Sequence, residues 1–168
     1  MRGELVALDL ETTGLDPTQD QIIEIGAVRF RNGEVIDEFN ELVDPGRPIP
    51  PIVSTLTGIQ NDDLVGKPRL ATVLPKLKEF VGDSPFVGHN IGFDASFLYK
   101  QGALQDNLRI DTYELASVLL PTAPRYNLTS LTQMLNFDIE SAHRALYDAK
   151  ATAFLYWKLW EKALTLPY

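Results

Sequence analysis

The chain has no cysteine, so neither a disulfide framework nor a thiolate metal site is available to it. No apolar run approaches the length that a membrane span requires. The opening Met1-Arg2-Gly3-Glu4 lacks the basic and apolar regions of a signal peptide, so a cytoplasmic location is expected. Basic residues are scarce: 15 Lys and Arg against 23 Asp and Glu leave a net charge of −8. That balance disfavours a protein that grips a long duplex by its phosphates. Engagement of a few nucleotides through bound cations, which would neutralise some of the acids, remains compatible with it. Repeats, low-complexity tracts and linkers are missing too, and 45% apolar residues supply a real core, so residues 1–168 read as one domain.

Against these absences stands Asp9-Leu10-Glu11-Thr12-Thr13-Gly14-Leu15, entered from the apolar run Leu5-Val6-Ala7-Leu8. The run reads as a strand, and side chains two apart on a strand share a face. Asp9 and Glu11 then lie roughly 6–7 Å apart at the end of a strand apolar enough to be central. Like charges that close repel unless a cation sits between them, and paired oxygen ligands suit Mg²⁺ or Mn²⁺. Two later segments add acids: His89-Asn90-Ile91-Gly92-Phe93-Asp94, and His143-Arg144-Ala145-Leu146-Tyr147-Asp148.

The rest of the chain supplies a frame. Segments 22–30 and 34–43 read as strands joined by the hairpin dipeptide Asn32-Gly33. Residues 45–51 form an irregular proline-rich excursion, followed by a short helix over 52–56 closed by Gly58. Apolar spacing predicts a helix over 70–81, with Pro75 required in its first turn. A strand over 85–89, a helix over 94–101, a strand over 108–112 and a helix over 113–120 follow. Helices over 127–135, with Asn127 as N-cap, and over 142–164 complete the chain. Antiparallel strands followed by strand–helix alternation argue a mixed α/β five-stranded sheet covered by helices. On the last helix, five residues at about 100° each set His143 and Asp148 roughly 140° apart. Asp148 can face the sheet while His143 lies at or before the helix start.

Asp9/Glu11, Asp94 and His143/Asp148, in that order, resemble the three motifs of the DEDDh 3′–5′ exonuclease family. The chain is similar in this to the proofreading epsilon subunit of DNA polymerase III. It also resembles the exonuclease domains of Gram-positive replicative polymerase and helicase proteins. The resemblance runs from Leu5 to about Leu159. It implies a ribonuclease H-like fold and two divalent ions, Mg²⁺ or Mn²⁺, held by Asp9, Glu11, Asp94 and Asp148. His143 becomes the base that takes a proton from the attacking water, a task suited to histidine near neutral pH. Arg144 stands where a sister branch carries a tyrosine, which assigns the chain to the histidine branch.

The same resemblance sets Thr12, Thr13, Leu15, Ile59, Asn90 and Phe93 around the terminal nucleotide. Thr57 replaces a histidine of the epsilon subunits. His89 is expected to be structural or substrate-side, and Asp111-Thr112 structural. The implied activity is release of nucleoside 5′-monophosphates from 3′ ends of DNA, single-stranded or frayed, with a polymerase or helicase as partner and no membrane. An exoribonuclease of the RNase T or oligoribonuclease type is the alternative, or a non-catalytic docking domain.

Overall fold

In the computed structural model, which describes residues 3–167, the opening apolar run is β1 (Leu5–Thr12). It pairs antiparallel with β2 (Ile22–Arg31), which pairs antiparallel with β3 (Glu34–Leu42). The β2–β3 turn is the expected one: Asn32 and Gly33 both have positive φ, as a tight hairpin of right-handed twist requires. After the excursion come α1 (Pro51–Thr57), α2 (Asn61–Leu64) and α3 (Leu70–Val81). Then β4 (Phe86–Gly88) and α4 (Ile91–Lys100) alternate with β5 (Arg109–Asp111) and α5 (Thr112–Leu119). The helices α6 (Leu128–Met134) and α7 (Ala145–Leu164) close the chain. The sheet order is β3-β2-β1-β4-β5, with β4 parallel to both β1 and β5. β1 is therefore central, as its apolar run predicts.

Period-two alternation along β1 decides what meets what. Val6, Leu8 and Leu10 pack on one face with α3 and α4 residues such as Leu77, Val81 and Leu98. Leu5 and Ala7 pack on the other face beneath Ala149, Ala153 and Tyr156 of α7. Asp9 and Glu11 continue the second row, so the alternation that buries Ala7 under α7 also delivers both acids to α7's first turn. Each fully buried Leu or Ile contributes about 1.5–3 kcal/mol. The first face holds several, among them Leu8, Leu77 and Leu98, while the α7 face packs mainly Ala, Val and aromatic side chains.

Four local readings differ from expectation. One is the start of α7 at Ala145 rather than 142, because His143 takes a left-handed conformation just before it. Pro75 lies in the second turn of α3, not the first. Its missing N–H removes one helical bond, but Val73, Leu74, Leu77 and Val81 are buried and hold the segment helical. α4 begins three residues early, because Asn90 takes a left-handed conformation (φ 55°) that turns the chain directly into the helix. The short α2 was not anticipated. Gln60 and Asp63 bond reciprocally as a capping box there, with glutamine and aspartate in place of the usual Ser/Thr and Glu.

Candidate active site

One carboxylate oxygen from each of Asp9, Glu11 and Asp148 lies within 4.8 Å of the other two. Asp9 and Glu11 come from the end of β1 and Asp148 from the first turn of α7. Asp9 Oδ2 is buried and finds no hydrogen-bond partner among the described residues. An orphaned anionic oxygen inside a protein costs free energy, and a bound cation would offset that cost. The donor set of hard oxygens fits Mg²⁺ or Mn²⁺. Asp94 stands outside this group of three, buried at the start of α4. Its Oδ1 accepts the Leu10 backbone N–H at 2.9 Å, which ties α4 to the strand carrying Asp9 and Glu11.

Crowding and burial leave a clear electrostatic signature. Burial, then the charges of Asp94, Glu11, Asp148 and Glu24, push Asp9 well above the usual carboxylate range. Glu11 is raised to about 9, first by burial and then by Asp148 and Glu24. Asp94 is raised to about 7, chiefly by burial, with the Leu10 N–H working against the shift. Asp148 is raised to about 6 by burial, opposed by the hydrogen bond from His143. In the unfolded chain these acids titrate near about 4. The folded state thus binds more protons between the two ranges. The stabilisation this brings is full below about pH 4 and is lost as pH rises through about 6, 7 and 9.

Metal-free protein should accordingly melt at a lower temperature at pH 9 than at pH 6. At an effective dielectric near 20, two unit charges about 4 Å apart repel by about 4 kcal/mol. Proton uptake and screening leave about 1–2 kcal/mol for the whole site. Asp94→Asn, which keeps the shape and removes a charge, should raise the melting temperature in chelator and flatten its fall with pH. A melting temperature that climbs from pH 6 to pH 9 would contradict the crowding.

His143 precedes α7, exposed and with a positive φ of 62°. Its backbone N–H donates to Asp148 Oδ2 at 3.0 Å, so the loop carrying the imidazole is fastened to the carboxylate site. Position before the helix start agrees with the lattice argument.

Beside Glu11 opens a cleft of about 460 Å³ lined by Thr12, Leu15, Ile52, Leu56, Thr57 and Phe93, among others. Leu15 is 84% exposed and shares the cleft with exposed Ile52 and Leu56, a contiguous apolar patch of the kind that marks a place of contact. The turn that presents it hangs on Asp20, which accepts from the Thr13 hydroxyl and from the Asp16 N–H, both at 3.0 Å. Gly14 is required there, because a Cβ would collide with the Asp20 carboxylate. Thr12 bonds its hydroxyl to the Gly14 carbonyl at 2.6 Å.

Several expected pocket residues take other duties. Thr13 lines the cleft but is buried, its N–H on Gln21 and its hydroxyl shared with Asp20 and Gln21, so it serves the turn. Ile59 does not reach the cleft: it is buried with Ile23, Ile49 and Leu64 in a small apolar cluster. Thr57 closes α1, its hydroxyl donating to Val53 O and accepting from Ile59 N. Asn90 is exposed at the start of α4 and gives its backbone N–H to Asp111. Asp111 also caps α5 through Tyr113 N–H, a structural role as expected. His89 has both ring nitrogens engaged, by Thr112 Oγ1 at 2.9 Å and Tyr126 O at 2.6 Å, and burial lowers its pKa.

One important residue escaped the sequence reading. Glu24 of β2 is 1% exposed and binds Arg144 and the Ala145 N–H at the start of α7. Its signal was present: an acid in the otherwise apolar Ile22-Ile23-Glu24-Ile25.

A mixed sheet in this order, with acids at the end of its central strand facing the last helix, defines a ribonuclease H-like nuclease architecture. The family model for exonucleases of the RNase T group matches residues 6–156. The chain belongs to the DEDDh exonuclease family. It is 43% identical over 156 residues to the PolC-type DNA polymerase III of Listeria welshimeri, covering 90% of this chain and 11% of that protein. The PolC-type polymerase of Latilactobacillus sakei is 42% identical over 166 residues, 96% of this chain and 12% of its own length. The chain thus spans about a ninth of the relatives it matches.

Among solved structures, Exonuclease X in complex with 5′ overhanging duplex DNA superposes with a TM-score of 0.79 at 28% identity. The match covers 96% of this chain and 94% of that one. Escherichia coli Exonuclease I in complex with a dT13 oligonucleotide shares the fold, with a TM-score of 0.81 at 21% identity over 96% and 42% of the two chains. No helix among the described residues is long and apolar enough to cross a membrane.

Proposed function

We propose that the chain is a metal-dependent 3′→5′ exonuclease domain that removes nucleoside 5′-monophosphates from single-stranded or frayed DNA ends. The convergence of Asp9, Glu11 and Asp148 within 4.8 Å, with Asp9 Oδ2 unpaired, carries this reading. Two divalent ions, Mg²⁺ or Mn²⁺, would supply an activated water and neutralise charge on the phosphate. Asp9, Glu11 and Asp148 would hold them, with Asp94 assisting. His143, tied through its backbone to Asp148, takes the proton from the attacking water. Leu15 and Phe93 would offer apolar faces to the terminal base, with Thr12 in the lining of the same cleft. PolC-type relatives support work alongside a polymerase, trimming its 3′ ends, in the cytoplasm. With a net charge of −8, grip on the strand is weak unless such a partner supplies it.

The test uses 5′-labelled single-stranded DNA and RNA of one sequence, with Mn²⁺ or with chelator. The expected result is a ladder shortening from the 3′ end, metal-dependent and faster on DNA, with a circular single strand left intact. Faster digestion of RNA would reassign the substrate, and cleavage of the circle would overturn the exonuclease reading.

A further inference from the structure

Glu24 sits across the β1–β2 ladder from Glu11, so it belongs to the face that carries the site. A carboxylate this deeply buried is costly unless paired and hydrogen-bonded. Its Oε2 takes Arg144 Nε at 3.0 Å and the second guanidinium nitrogen at 2.9 Å. Its Oε1 takes the Ala145 N–H at 2.7 Å. Ala145 opens α7, which has no cap from its own side chains, so a carboxylate from the neighbouring strand fills that place. Two residues along β2, a Cβ on Gly26 would collide with the Ala145 and Leu146 backbone. β2 therefore seats the first turn of α7 by a charge and by a gap.

That first turn carries the chemistry. Asp148 N–H bonds Arg144 O at 3.1 Å, and Asp148 Oδ2 takes the His143 N–H. We infer that Glu24 and Arg144 are positioning residues that fix where the His143 loop stands over the carboxylate site, without touching substrate or metal. The inference rests on the exonuclease reading above. Both Glu24 oxygens are committed to α7, so Glu24 is not a further ligand despite its place opposite Glu11.

Arg144 is the safer handle, because its side chain is 34% exposed while that of Glu24 is 1% exposed. Arg144→Met, Arg144→Lys and Glu24→Gln would be compared for kcat and KM on single-stranded DNA and for Mn²⁺ affinity by calorimetry. A misplacement on the order of 1 Å can cost about 10²-fold in rate. Arg144→Met should therefore lower kcat about 10- to 100-fold, with KM and Mn²⁺ affinity changed less than about threefold, and Arg144→Lys should recover part of the loss. In a His143→Ala background the same Arg144→Met change should cost less than about twofold, because the residue it positions is gone. An equal loss in both backgrounds, or Mn²⁺ affinity falling in step with kcat, would overturn the inference.

Amide hydrogen exchange separates this outcome from failure of the exonuclease reading. Should the wild type cleave nothing with any metal, that reading falls, and exchange still decides the positioning. Faster exchange at His143 and Ala145 in Arg144→Met, with Val6 to Leu8 unchanged, supports the pair, and unchanged rates at both sites contradict it.

Discussion

Asp9→Asn is expected to abolish turnover, by about 10³-fold or more, while leaving the fold intact. Asp9 faces the first turn of α7 with one oxygen unpaired among the described residues, so its proposed role is ligation rather than packing. Cation stabilisation of a phosphoryl transition state is worth several kcal/mol, and each 1.36 kcal/mol is tenfold in rate. Asparagine has the same shape but a neutral oxygen, so the cation loses its charged anchor. Its removal also relieves repulsion with Asp94, Glu11 and Asp148, so the metal-free melting temperature should hold or rise. Both numbers come from one preparation: kcat at saturating Mn²⁺ and a thermal melt in chelator. Near-normal turnover would show that Asp9 is not a ligand.

His143→Ala is expected to cost about 10²–10⁴-fold in kcat, the usual range for losing a general base. Mn²⁺ affinity should stay near the wild-type value, since the bond from residue 143 to Asp148 uses the backbone N–H. The positive φ of 62° complicates alanine, because a left-handed residue without a polar short side chain is strained. His143→Asn tolerates that conformation and is the cleaner variant. A variant that loses Mn²⁺ as badly as Asp148→Ala would make His143 a ligand.

The parts of the molecule governed by local rules could be read from the sequence. Strand period two set Asp9 and Glu11 on one face, and the Asn32-Gly33 turn and the central place of β1 followed from composition. Helix geometry put His143 off the helix that carries Asp148. Contacts between distant segments could not be read in the same way. Ile59 looked available for a ligand until the excursion folded it against Ile23 and Leu64. Thr13 does line the cleft, but the sequence does not show that Asp20 and Gln21 engage its hydroxyl. Glu24 and Arg144 lie 120 residues apart, and only the packing of α7 on β2 reveals that they are partners. Pro75 shows the reverse case, where a local rule against proline yields to four buried apolar neighbours on the same helix.

The central claim is that Asp9, Glu11, Asp94 and Asp148 form one cation site, and a thermal melt with and without Mn²⁺ tests it most directly. A ligand that binds the folded state alone stabilises it by about 2.7 kcal/mol at a hundred times its dissociation constant. Wild-type protein should therefore melt several degrees higher in millimolar Mn²⁺ than in chelator, with a smaller rise for Asp94→Asn and almost none for Asp9→Asn. An unchanged wild-type melting temperature would mean that these acids do not share a metal.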